Sequence, residues 1–263
     1  MTTLTAGHIS TFFDKWAPES TQLDFDNIGL LLGSKTKPVR TILTCLDLTE
    51  EVVDEAISLN CDLIVAHHPV IFRKLSRLNP DTVLGKTLYK LISADISVLA
   101  AHTNLDAARE GVSFEMANQI GLIHNEFLTH EDTSPPSGFG VIGEYQDKMA
   151  ANEFLENVKI KLNCNVIRYS GKRKFIRKVA VCGGSGSFLA SQAMTMGADA
   201  FITADLKYHD FFITKEPGLM LLDVGHYESE SPIIDKMRNT LRDEYPELTV
   251  ESTSVNTNPI QTY

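Results

Sequence analysis

The sequence predicts an α/β protein of two similar halves, and three observations carry that prediction. Apolar runs of strand length alternate with segments of helical period along most of the chain. A breaker cluster, THEDTSPPSGFG at 129–140, interrupts the alternation and reads as a linker. Finally, ILTCLDLTEEVVDEAISLNCDLIVAHH (42–68) lies on VAVCGGSGSFLASQAMTMGADAFITAD (179–205) without a gap, setting Cys45 on Cys182, Ala56 on Ala193 and Asp62 on Asp199. The expected halves are therefore 1–128 and 129–263. Identities between the segments are few, so coincidence of two βαβ units is the competing reading. The repeat is far longer than a solenoid unit.

The elements follow in order. Residues 8–16 carry apolar positions Ile9, Phe12, Phe13 and Trp16 at helical spacing. DFDNIGLLLG (24–33) is a turn feeding a short strand. VRTILTCLDLT (39–49) is β-rich, and EEVVDEAISLN (50–60) is a helix that Thr49 can cap, with Glu50 and Glu51 in its first turn. CDLIVAHHPV (61–70) is a buried strand ending in histidines, 82–94 a helix, and ISVLAAHTNLD (96–106) a third strand. Beyond the linker, KFIRKVAVCGGSG (174–186) is a strand with a Gly-rich turn and SFLASQAMTMG (187–197) a helix. ADAFITAD (198–205) and GLMLLDVGH (218–226) are strands, and SPIIDKMRNTLRDEY (231–245) is a helix.

Composition bounds the function. The 263 residues carry 24 Lys+Arg against 34 Asp+Glu, a formal net charge of -10, with 43% hydrophobic residues. That balance is ordinary for a soluble globular chain and argues against a nonspecific nucleic-acid or anionic-membrane binder. The densest basic stretch, GKRKFIRK at 171–178, reads as a solvated loop and a charged strand entry. No apolar run suffices to span a bilayer, and MTTLTAGHIS has neither the basic nor the apolar region of a secretory signal. Cys45, Cys61, Cys164 and Cys182 form no C-x-x-C pair and read as reduced core thiols of a cytoplasmic protein.

The chemistry is expected beyond the carboxyl ends of the strands, where open α/β sheets bind ligands. The 61–66 strand delivers His67 and His68, the 96–101 strand His102 and then Asp106, and the 219–224 strand His226, Glu228 and Glu230. His209 lies past a fourth strand end. Imidazole and carboxylate without thiolate suit Zn, Fe(II) or Mn(II). Two such ions bridged by a carboxylate and a hydroxide would activate that hydroxide and polarise a substrate oxygen. A lone histidine after a strand is more often structural; the weight comes from HHP together with two parallel His-x-x-x-carboxylate units, HTNLD (His102 to Asp106) and HYESE (His226 to Glu230), each directly after an apolar strand. His102 and His209 are candidates for orienting ligands or for proton transfer. GGSGS (183–187) reads as a tight turn in preference to a phosphate cradle, because it lacks the Walker lysine. Asp26–Asn27 can cap a turn or reach the site, and Asp205, overlaid on His68, can border it.

FDNIGLLLG (25–33), DLIVAHHPVIF (62–72), AHTNLDAA (101–108), GFGVIGE (138–144), LKYHDF (206–211) and DVGHYESE (223–230) together resemble the NIF-three-like family, also called GTP cyclohydrolase type 2 homologues or dinuclear-metal hexameric proteins. The resemblance covers nearly the whole chain, in a short form without an inserted domain. It implies two similar interlocked α/β/α halves with mixed sheets and a dinuclear metal site between them. The implied ligands are His67, His68, Asp106, His226 and Glu230, with Glu230 or Asp106 bridging. It also implies a toroidal homohexamer, a trimer of dimers, and a metal-dependent hydrolase of a nucleotide-like or heterocyclic small molecule. The alternative is a non-catalytic metal-binding scaffold or metal-handling protein. Three positions depart from the family pattern: Phe25 for Trp, Ala204 for Gly, and Val141 for a basic residue. The last puts an anionic substrate contact at that point in doubt.

Overall fold

The computed structural model describes residues 3–215 and 218–263. The chain opens with helix α1 (Ala6–Trp16) and strand β1 (Gly29–Leu32). There follow β2 (Thr41–Cys45), α2 (Glu50–Ser58), β3 (Leu63–Ala66), α3 (Val83–Ser93), β4 (Ser97–Ala100) and the one-turn helix α4 (Thr103–Asp106). Thr49 caps α2 as expected, its hydroxyl accepting from Val52 N at 3.4 Å. Thr82 does the same for α3, accepting from Gly85 N at 3.0 Å.

Next come α5 (Val112–Gln119), β5 (Ile123–Phe127), β6 (Val141–Ala150), α6 (Ala151–Lys161) and β7 (Arg168–Ser170). The periodicity reading assigned none of these five, for a physical reason. The second half of β6 is largely exposed and its register shifts after Glu144, so no period of two persists. Helix α6 fully buries only Phe154 and Val158, too thin a stripe to stand out among its charges. The chain ends with β8 (Phe175–Ser185), α7 (Ala190–Thr195), β9 (Ala200–Ala204), β10 (Met220–Asp223), α8 (His226–Glu230), α9 (Pro232–Glu244) and β11 (Thr249–Ser252). No helix among the described residues is long and apolar enough to cross a membrane.

Contacts group the chain into two units. The first runs to Leu105 and regains Ile233–Asn258; the second is Asp106–Pro232 with Pro259–Tyr263. The 129–140 breaker lies inside the second unit, between β5 and β6. The first unit has a five-stranded mixed sheet, β1-β4-β3-β2-β11, with only β1 antiparallel to its neighbour. Leu43, Ile64 and Val98 of the sheet pack with Val52, Val53, Leu88 and Leu91 of α2 and α3. The second unit has a six-stranded mixed sheet, β5-β6-β8-β9-β10-β7, whose members β8, β9 and β10 are parallel. Its faces pack separately, one around Phe154, Val179 and Ile202, the other around Phe201, Leu221 and Leu189.

The units repeat each other in register. Ile42 pairs with Leu63, and Val179 with Ala200, the positions that the ungapped overlay equates. Asp62 accepts from the backbone N–H of Arg40 and Thr41 at 2.7 and 3.0 Å. Asp199 accepts from those of Arg177 and Lys178 at 2.9 and 3.1 Å. In both units an antiparallel edge strand, β1 or β7, flanks the third parallel strand. One expected equivalence shifts. Ala101 N donates to Ala66 O and Val224 N to Thr203 O, so His102 corresponds to Gly225 and not to His226. Gly225, at φ 96, takes up the extra residue before α8 in a conformation that favours glycine.

Candidate metal centre

In the first unit the parallel strands end in a histidine cluster. His67 and His68 directly follow β3, and their backbone N–H groups continue the ladder to Cys45 O and Leu46 O at 3.0 and 2.9 Å. Where the sheet ends, both rings turn together with His102. The centroid separations are 4.9 Å for His67–His68 and 5.3 Å from each to His102. A ring nitrogen of each histidine lies within 4.8 Å of the others, a group of three that could hold a cation.

Each of these rings is held by the nitrogen nearer the backbone. His67 Nδ1 lies 2.8 Å from Ala101 O, His68 Nδ1 2.7 Å from Asp47 Oδ1, and His102 Nδ1 2.8 Å from Asp26 Oδ1. A carbonyl or carboxylate oxygen only accepts, so Nδ1–H donates and the neutral ring carries its lone pair on Nε2. Metal-binding histidines share this arrangement, in which the second ring nitrogen donates to a carbonyl or carboxylate. Asp26 is itself fixed by Thr103, whose N–H donates to it at 3.0 Å and whose hydroxyl donates to the same oxygen. Burial alone would raise the Asp26 pKa, but the hydrogen bonds from His102 and Thr103 bring it down to about 2. Thr257 holds Asp47 in turn, donating to Oδ2 at 2.8 Å.

The second unit presents its own set. Helix α8 places His226 and Glu230 on one face, four residues apart. His226 Nδ1 lies 2.7 Å from Asp205 Oδ2, and Nε2 lies 3.1 Å from Glu230 Oε2. Burial would lower the His226 pKa, but the hydrogen bonds and charges of Glu230 and Asp205 outweigh it and lift the pKa to about 9. An oxygen of Asp106 lies within 4.8 Å of one of Glu230. Like-charged oxygens that close are a donor set that suits a bound cation.

The GGSGS turn supports this set and is not built to cradle a phosphate. Gly183 N donates to Ser113 Oγ, Gly184 N to Ser229 Oγ and Gly186 N to Thr203 Oγ1, at 3.2, 3.0 and 2.9 Å. Three of the N–H groups that could meet a phosphate are thus taken. Gly184 has φ +60, and a Cβ there would lie 2.2 Å from Glu230 Oε1. The glycine makes the room that Glu230 occupies.

The donors are nitrogen and oxygen only. All four cysteines are buried free thiols. Burial pushes Cys61 and Cys164 up to about 12. Cys182 is raised first by burial and then by the fields of Asp106 and Glu230, which keeps it from serving as a thiolate ligand. His209 is exposed, and its ring contacts are Tyr208 and Phe212, at 5.2 and 5.7 Å. Val141 is wholly buried in the core of the second unit, so no anion is met there. The sequence reading missed Asp47. Its only signal was its place just past the end of β2, the same edge that carries the histidines.

Residues 4–259 match the model of the family described as Duf34/NIF3 (NGG1p interacting factor 3). A Clostridium acetobutylicum protein called GTP cyclohydrolase 1 type 2 homolog is 35% identical over 235 residues, covering 89% of this chain and 88% of that one. Two solved structures align over 100% of both chains with a TM-score of 0.93: a Staphylococcus aureus hypothetical protein at 30% identity, and a Bacillus cereus protein related to NIF3 at 25%.

Proposed function

The chain belongs to the Duf34/NIF3 family, and on that footing we propose that it is a metal-dependent hydrolase of a nucleotide-like or heterocyclic substrate. In this reading His67, His68, Asp106, His226 and Glu230 hold two divalent ions of the Zn, Fe or Mn class. The observation that carries it is the tethering of the imidazoles: His67, His68, His102 and His226 each have Nδ1 fixed by a carbonyl or carboxylate. Such ions, when bound, supply Lewis acidity and an activated water.

The chain's own residues do the rest. Asp47 and Asp205 orient His68 and His226. His102 moves a proton at Nε2, and Asp26 steadies the imidazolium as it forms. Five protein ligands for two ions leave positions for water and substrate, which favours chemistry over a closed structural site. The relative's name makes GTP the first compound to test. Family membership also supports a toroidal homohexamer, a trimer of dimers, which light scattering on the purified chain can size, and the four free thiols support a cytoplasmic location.

Elemental analysis of the wild-type chain beside Glu230→Ala tests the metal part. About two ions per wild-type chain are expected, and fewer in the variant. Full occupancy in Glu230→Ala removes Glu230 from the ligands. His102→Ala should keep most of its metal while turnover falls about 10²–10⁴-fold. Loaded wild-type protein that turns over neither GTP nor a panel of phosphoesters and cyclic amides would instead be a metal-handling protein.

A further inference from the structure

Two cavities of the second unit share one residue, Arg168. The first, of 260 Å³, is lined by His226, Asp205 and Arg168. The second, of 410 Å³, is walled by Arg168, Tyr169, Tyr208, Phe211, Phe212 and Lys215. Large rings stand at its surface: Tyr208 is 73% exposed, Tyr169 53% and Phe212 39%. Both cations ride on rings, Lys215 Nζ 4.0 Å from the Phe212 centroid and the Arg168 guanidinium 5.7 Å from that of Phe211. Among the described residues no carboxylate lines this cavity, in a chain whose net charge is -10. Arg168 is already positioned, donating to Leu206 O at 2.9 Å and to the Asp223 carboxylate. Its other N–H groups can meet a ligand at little ordering cost.

Exposed aromatic faces stack on planar rings, and cations beside them select an anion. We propose that this second cavity binds an anionic heterocycle of the purine-nucleotide class. The ring stacks on Tyr208 and Tyr169, with Phe212 packed edge-on against Tyr208 at a centroid separation of 5.2 Å, and the anionic group rests on Lys215 and Arg168. The inference deepens the function proposed above, and rests on it only in placing the reacting end at His226. Tyr208, Phe212 and Lys215 are then specificity-determining residues, set apart from the metal ligands.

Calorimetric titration of the full chain, as purified and after EDTA treatment, tests the site with GMP, guanosine and inorganic phosphate as probes. GMP should bind in both preparations, more tightly than guanosine or phosphate. Tyr208→Ala and Lys215→Ala should each weaken GMP binding about tenfold, with metal content unchanged and with Lys215→Arg restoring most of the loss. Equal GMP affinity in both alanine variants and the wild type would overturn the proposal, as would absence of GMP binding to the wild type. A Tyr208→Ala chain that dissociates in light scattering would show that a second copy covers the rings, and would overturn the proposal. A single-stranded RNA bound far more tightly than GMP, with a steep salt dependence, would overturn the small-molecule class. Failure of the metal reading appears in elemental analysis and leaves the GMP titration standing; failure here leaves the metal content intact.

Discussion

One added methyl group at residue 184 is enough to probe the site. A Cβ there would meet Glu230 Oε1 at 2.2 Å, and the φ of +60 already disfavours a side chain. Gly184→Ala should therefore lower metal content as Glu230→Ala does, and cost about 1–2 kcal/mol in denaturant unfolding. Metal content equal to wild type would show that the carboxylate can move aside without consequence. Asp26 gives a pH test. Its folded pKa is depressed, from 3.8 to about 2, so its stabilisation is present above the unfolded value and is lost as pH falls from about 4 to about 2. Wild type should lose on the order of 2 kcal/mol across that window relative to Asp26→Asn. Parallel pH profiles for the two would remove Asp26 as a source of stability. At this scale the sequence was informative where polar residues follow apolar strands, as at His67, His68, His102 and His226. It was silent on Asp47, which meets His68 only through the pairing of β2 with β3.

Among elements, the repeated β-α-β unit carries the clearest internal comparison. Asp62 and Asp199 each accept from two backbone N–H groups at the entry of the preceding strand. Alanine at either position leaves both donors without their acceptor and should cost about 1–2 kcal/mol, similar in the two units. A cost at one position alone, measured by urea unfolding, would show that the shared geometry is not shared energetics. The repeat was readable because buried parallel strands are near-continuous apolar runs. Elements α5 to β7 were not, since half-exposed strands and thinly buried helices leave little period to find. The resemblance of HTNLD to HYESE was real in chemistry but misleading in position, because Gly225 displaces His226 by one residue relative to His102.

For the whole molecule, metal linkage predicts a stability change. Ions that bind the folded chain and not the unfolded one add about 2.7 kcal/mol at a hundredfold excess over Kd. At about 2–4 °C per kcal/mol for a chain of this size, chelation should lower the Tm of loaded wild type by roughly 5–10 °C. Glu230→Ala should shift less. An unchanged wild-type Tm on chelation, with the metal shown to leave, would mean that the ions contribute nothing to the folded state. In a chain of net charge -10, a cavity lined by Arg168 and Lys215 with no carboxylate among its described lining residues makes the nucleotide titration the sharper test of substrate class.

By itself the sequence determined the α/β class and the histidines and acids at the strand ends, because hydrophobic period and strand polarity are local properties of a chain; it pointed to the repeat, whose common register the strand pairing then showed. It also carried the family. Tertiary structure alone decided which oxygen holds each imidazole: Asp47 for His68, Asp26 for His102, Asp205 for His226 and Ala101 O for His67. It also decided that Gly184 makes room for Glu230, and that Arg168 lines two cavities at once. Such contacts join residues tens of positions apart, and only strand order and register set their distances.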